Sequence, residues 1–288
     1  MSYGSGTGAG ISGATETQAF IPQLWAEIVE GFLKRKLMFA DLVDDYSAMA
    51  QGTDTIKVPT ISEVGVQDKS ENGIIEFDSV TESNVSLSIN KHKYASKMFE
   101  KVILTKVQDS RDMTSKYAEG LAYALAKAID ADVATELTGN AGLGATLATD
   151  DVMTDAEIEA MLATLGENDL DYRDGALTFV VNPTLYADLL ANPKFVRYDA
   201  LGRSNIPTGR LGEIFGIPVE MSNALGTGGT NVSGIVFHKT ACALAIQQGI
   251  EATSQYDIDY MAEKVVFDCM YGVKMIHANR AYKLTNAS

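Results

Sequence analysis

The stretch that most limits the fold runs from Asp109 to Gly139. It reads as one unbroken helix. Met113, Tyr117, Leu121, Leu125, Ile129, Val133 and Leu137 recur at every fourth position, and Ala118, Ala122, Ala124, Ala126, Ala128 and Ala131 fill the space between them. Alanine is the strongest helix former, and the one interior cost is Gly120, about 1 kcal/mol. Asp109 or Ser110 can cap the start, and Asp109 and Asp112 suit the positive end of the helix dipole. Gly139 followed by Asn140 is a stop signal. A row spaced by four lags the 3.6-residue turn, so the apolar row winds around the helix and is met on several sides in succession. At 1.5 Å per residue the helix is about 40–45 Å long. A compact globule of this chain length has a radius of gyration of about 19 Å. The helix therefore crosses nearly the whole body and serves as its spine.

Composition narrows the function more than the fold. The chain has 288 residues, 46% hydrophobic and 21% charged, which is room for one large domain or two small ones. A net charge of −15 argues against a wide basic surface gripping DNA phosphates. Cys242 and Cys269 are too few for a disulfide framework and form no CxxC pair, which fits a reduced, intracellular setting. The N-terminus has no basic region followed by an apolar run, so no secretory signal is expected. No apolar run reaches membrane-spanning length.

The motifs of catalysis are missing. His92, His238 and His277 are scattered and read as structural residues. GxSxG, HExxH and GxxxxGK[ST] do not occur. Gly139, Gly142 and Gly144 follow a helix, where a phosphate loop follows a strand. Asp169, Asp171, Asp174 and Gly175 approach a calcium loop, but Arg173 and Val180 stand where oxygen ligands are needed. The acid pairs Asp44–Asp45, Asp130–Asp132 and Asp257–Asp259 read as solvated faces or local caps. No catalytic residue, cofactor site or metal site is expected, and the chain is not expected to be an enzyme.

The rest of the chain falls into an order around the spine. Residues 1–19 are mostly small and polar and read as an arm without a core of its own. Pro22 opens a helical pattern with Leu24, Trp25, Ile28, Val29, Phe32 and Leu33 on one face, closed by Lys34, Arg35 and Lys36. Trp25 reads first as a core anchor, with a partner-binding hot spot as the alternative. From Thr55 to Ile89 the period changes to two, with the hairpin signal Asn72-Gly73 inside an acidic stretch. That predicts two long strands and a poorly buried tip, and a lone hairpin is marginal in water. After the spine, Thr154 and Glu157 form a capping-box pair before a helix with Ile158, Met161, Leu162 and Leu165 on one face. ALTFVVNP reads as a buried strand, TLYADLLAN as a short helix, Gly202–Gly216 as a loop, and Ile217–Met221, GIVFHK and ACALAIQQ as strands. Residues 151–249 thus form an α/β lobe. Strand-type alternation resumes at Val265, and Ala281 with Leu284 can supply a closing strand.

This order of parts, with PQLWAEIVEGFLKRKLMFADLV, FVVNPTLYADLLANPKF, GRLGEIFGIPVEMSNAL and ALAIQQGIEATSQYD, resembles the major capsid proteins of tailed bacteriophages, whose fold is shared with encapsulin shells. The resemblance covers nearly the whole chain after residue 20. It implies an α+β capsid fold with an N-terminal arm and amphipathic helix at 1–40 and an extended β-loop at 55–97. It places a peripheral domain with the spine at 41–54, 98–150 and 250–288, and an axial domain at 151–249. The implied function is a structural protein that self-assembles through hexamers and pentamers into an icosahedral head around double-stranded DNA, in the virion, after assembly in the host cytoplasm. The implied partners are copies of itself, with separate scaffolding, portal and cement proteins, DNA touched only weakly, and no membrane. Two other readings are an encapsulin-type compartment shell and an intracellular α+β enzyme. The N-arm favours the phage reading over the compartment.

Three finer expectations follow. The resemblance implies that a removable N-terminal scaffold would be about a hundred residues long, near the size of a small domain; only about twenty residues precede the first helix pattern, so a scaffold that is separate or absent and a chain unprocessed but for loss of Met1 are expected. A covalent link between Lys69 and Asn279 of neighbouring subunits is not expected; both read as ordinary solvated residues. The acidic arm tip is expected to meet a neighbouring subunit through Asp68, Lys69, Glu71, Glu76 and Asp78, because burying those charges in its own core would leave them unpaired.

Overall fold

The computed structural model describes residues 37–61, 82–100, 110–147, 153–171, 175–191, 212–225 and 232–286, together with 66, 68, 69, 71 and 74. The expected amphipathic helix with Trp25 lies outside the described residues. In chain order the elements are helix α1 (Phe39–Leu42), strands β1 (Asp44–Asp45), β2 (Thr55–Ile61), β3 (Glu82–Ser88) and β4 (Lys91–Glu100), and the spine α2 (Ser110–Asn140). Then come β5 (Leu143–Thr146), α3 (Asp155–Glu167), β6 (Leu177–Val181), α4 (Pro183–Ala191), β7 (Glu213–Ile214) and β8 (Ile217–Met221). The chain closes with β9 (Val232–His238), β10 (Cys242–Asp257), β11 (Ala262–Met275) and β12 (Ala281–Thr285).

The spine is 31 residues long and begins and ends within one residue of the expected bounds. That length corresponds to about 46 Å. Of its apolar row, Leu125, Ile129, Val133 and Leu137 are buried, and Tyr117 and Leu121 are half-buried. The row lies on a four-stranded sheet of order β1-β10-β11-β4, whose centre is the long antiparallel hairpin β10–β11. Alternate residues of β10 face opposite ways, as a strand requires. Cys242 and Leu244 join the spine's core with Tyr271 and Val273, while Ala243 and Ala245 join a smaller cluster with Ile56, Leu87 and Ile89. One face of the sheet thus carries the spine. The other carries the root of the two-stranded ribbon β2–β3, paired from Thr55–Ser88 to Ile61–Glu82.

The second body is a six-stranded sheet of order β5-β12-β9-β6-β8-β7 among the described residues. Helices α3 and α4 bury Ile158, Met161, Leu165, Leu185 and Leu189 on one face of it, against Phe179, Val181 and Val236. Thr154 and Glu157 form the expected capping box at the start of α3. Asn182 accepts the Leu185 amide at 2.7 Å and so opens α4. The opposite face sends Val180, Ile235, Phe237 and Ala281 into the spine's core.

Sheet membership links segments that the expected domain bounds keep apart. Residues 143–146 and 281–285, expected with the spine, pair with the lobe's strands. Residues 242–249, expected in the lobe, belong to the four-stranded sheet, as do 91–97, expected in the extended loop. ACALAIQQ is the first half of a 16-residue strand that turns back directly into β11. The chain crosses between the sheets in three adjacent places, tied by backbone bonds from Gly142 N to Ala278 O (2.8 Å) and from Ile276 N to Ala241 O (2.8 Å). Arg280 Nη1 donates to Thr240 Oγ1 at 2.6 Å across the same joint.

Candidate assembly surface

Several described side chains that could carry chemistry hold the fold together instead. The carboxylates of the Asp130–Asp132 pair, expected to be solvated faces or local caps, hold the spine to distant neighbours. Asp130 is buried and accepts the amides of Met38 (3.0 Å) and Phe39 (2.7 Å) at the start of α1. Asp132 accepts from Lys91 Nζ (2.9 Å), Lys93 Nζ (2.8 Å) and Tyr271 Oη (2.8 Å), joining the spine to β4 and β11. Burial pushes the Asp132 carboxyl up, but the bonds from Lys93, Lys91 and Tyr271 outweigh it and hold the group below the ordinary carboxylate range. Burial and the Asp132 carboxylate push the Tyr271 phenol up. Asp257 accepts the Asp259 amide at 2.9 Å and pairs with Lys264 beside a hairpin turn, which is the local cap expected of that pair.

The histidines stay apart in role. His92 Nε2 meets Asp268 at 3.1 Å, and His238 Nδ1 accepts the Thr240 amide at 3.2 Å. Burial, helped by Arg280, pushes the His277 imidazole down. Burial pushes the Cys242 thiol up to about 12, so at neutral pH it is a packed apolar group rather than a nucleophile. Among the described residues no three His, Cys, Asp or Glu side chains converge on a metal-sized point, and no helix is long and apolar enough to cross a membrane.

What remains is surface. Of the expected arm contacts, Asp68, Lys69 and Glu71 are exposed, while Glu76 and Asp78 lie outside the described residues. The arm also carries Val66 and Ile74, 97% and 93% exposed. Asn279, the other expected non-partner of Lys69, is exposed in the turn between β11 and β12. Sequence reading missed the apolar hairpin turns: Phe215 between β7 and β8, and Ile258, Tyr260 and Met261 between β10 and β11, all exposed. Large apolar residues in a strand-rich segment are ordinarily assigned to a core. Only their position at a chain reversal marks them out.

The model of the family described as phage capsid protein matches residues 97–278, more than half of the chain. At the level of direct sequence similarity no curated protein matches it. Among solved structures it is similar to a chain of Mycobacterium phage Che8, with 20% identity, 92% of this chain and 97% of that chain covered, and a TM-score of 0.77. It is likewise similar to a chain of the capsid of cyanophage P-SCSP1u, with 17% identity, 98% and 96% covered, and a TM-score of 0.77. A third, from the capsid of a native GTA particle, has 13% identity, 98% and 100% covered, and a TM-score of 0.72. These likenesses establish the fold, and the family match establishes the role. The chain belongs to the phage capsid protein family: it is a structural protein of the virion, a subunit of the icosahedral phage head that associates with copies of itself, and not an enzyme.

Proposed function

We propose that the subunits join head to tail in rings of five and six, with the spine and four-stranded sheet at the ring's periphery and the six-stranded sheet toward its axis. The peripheral domain then comprises 41–54, 91–140 and 242–275, and the axial domain 143–238 with 281–285. The ribbon β2–β3 and its tip reach over the next subunit. The observation that carries this reading is the tip itself. Val66 and Ile74 stand in solvent on an arm whose described root is held by a small cluster around Ile56, Leu87 and Ile89. Two bare apolar side chains among acidic ones describe a surface that a neighbour completes. Asp68 and Glu71 supply rim pairs of about 0–1 kcal/mol each, weak enough to let misplaced subunits leave. The strongly negative chain touches packaged double-stranded DNA only weakly. Self-association of this chain carries the assembly, which takes place in the host cytoplasm; the scaffold is a separate chain or absent, and the portal is a separate chain.

The test is to replace residues 64–79 with an Asn-Gly turn, which suits a two-residue hairpin. The expected result is a soluble chain with native helix content by circular dichroism and greatly reduced particle formation. Normal particles would remove the arm from assembly. An unfolded chain would place it in the subunit's core.

A further inference from the structure

We propose that Phe215 is a contact residue between copies of this chain, presented by the β7–β8 hairpin as a rigid apolar tip that seats in a neighbouring subunit. The proposal rests on the shell reading only for the identity of the partner. Phe215 and Gly216 form the two-residue turn of the hairpin, with Ile214 paired to Ile217 and Glu213 to Pro218. Both turn residues have positive φ, 51° at Phe215 and 86° at Gly216. A turn of that kind is normally Asn-Gly or Gly-Gly, because the left-handed region crowds a Cβ. An aromatic residue is among the poorest choices for the first position.

More than half of the residue nonetheless stays in solvent. Phe215 is 55% exposed, whereas Ile214 and Ile217 on either side are each 2% exposed and locked into the lobe's core. The backbone is thus fixed from within while the ring is held outward. Val219 N donates to Gly212 O at 3.2 Å and tightens the same hairpin. Strain kept at a site that folding does not need points to a contact made later. The position agrees. Strand β7 is two residues long and ends the six-stranded sheet among the described residues, and a sheet edge is where another chain can be met. A second copy is the occupant because this chain's family builds shells from repeated subunits, and an exposed aromatic on a fixed backbone is the residue type that anchors such interfaces.

Folding and assembly should respond to the same change in opposite senses. In the full-length chain, Phe215→Gly and Phe215→Asn relieve the turn, so the melting midpoint of dissociated subunits is expected to stay level or rise by up to about 4 °C. The concentration needed for particle formation, read by light scattering and sizing, should rise about tenfold or more, the scale set by the buried share of one phenyl ring. Phe215→Tyr keeps the ring and should assemble as the unaltered chain does. The proposal is overturned if the Gly and Asn variants assemble normally. It is also overturned if their midpoint falls by several degrees, since the ring would then pack within its own subunit. An unaltered chain that forms no multimers at any concentration would contradict the shell reading itself, and with it the partner named here.

Discussion

Replacing Gly272 by alanine is expected to destabilise the subunit by about 3 kcal/mol or more and to release the root of the ribbon. Gly272 lies in β11 opposite Ala245, on the sheet face that receives the ribbon. A Cβ there would stand 2.4 Å from Ser88 O and 3.1 Å from Ile89 Cα. Both are backbone atoms, so no side-chain rotation clears them. The chain at Ser88–Ile89 has to move, and with it go the bond from Ile89 N to Asp54 O at 2.9 Å and the packing of Ile56 and Leu87. Urea unfolding should show the loss, and hydrogen exchange should show the Ile89 amide losing protection before the spine does. Gly166 is the matched control. It lies in α3 with open space around its Cβ position, so Gly166→Ala is expected to stabilise by about 0.5–1 kcal/mol. Equal effects at the two sites would refute the close-approach argument.

The second large effect is expected at Asp132. Asp132→Ala strands the Tyr271 hydroxyl, whose residue is wholly buried, and leaves Lys91 and Lys93 without their shared partner. The stranded hydroxyl dominates, at about 2–3 kcal/mol, because the two lysines are partly exposed and can turn to water. Tyr271→Phe removes the need and should cost only about 1 kcal/mol. The double variant should lose less than the sum of the two. The pH dependence has a fixed sign. The folded Asp132 carboxyl sits below its unfolded value, so its contribution is fully present above about pH 4 and is lost as pH falls through the folded value. The stability gap between the unaltered chain and Asp132→Asn should therefore be flat near neutrality and close in acid. A gap that widens in acid would contradict the assignment.

The parts legible in the sequence were those governed by local rules. The spine's ends followed from its alanine-rich row and its Gly139-Asn140 stop, and α3 from the Thr154–Glu157 box. The parts that escaped depend on pairing between distant segments. Nothing local tells Ala281–Thr285 to sit between β5 and β9, or β4 to pair with β11. The β10–β11 hairpin hid its turn because Asp257–Met261 carries Ile258, Tyr260 and Met261 where glycine or asparagine would signal a reversal. The outer half of β10 is exposed on both faces, so the usual alternation of buried and exposed residues fades there. Gly272 could be read as a close approach in a strand, but its partner at Ser88 could not. The Asp130–Asp132 pair lies beside a buried row, and only the packed structure shows that both carboxylates turn inward to receive donors. Of the proposed contacts between subunits, the acidic tip was visible as composition, whereas Phe215 needed the sign of its φ.

The most direct test of the whole account is electron microscopy of the full-length chain, expressed and purified without other virion proteins and concentrated under conditions where it stays folded. The account predicts closed, isometric shells, or the five- and six-membered rings from which they are built, with sizing showing a multimer of many subunits. A folded chain that remains a monodisperse monomer across the full concentration range would contradict it.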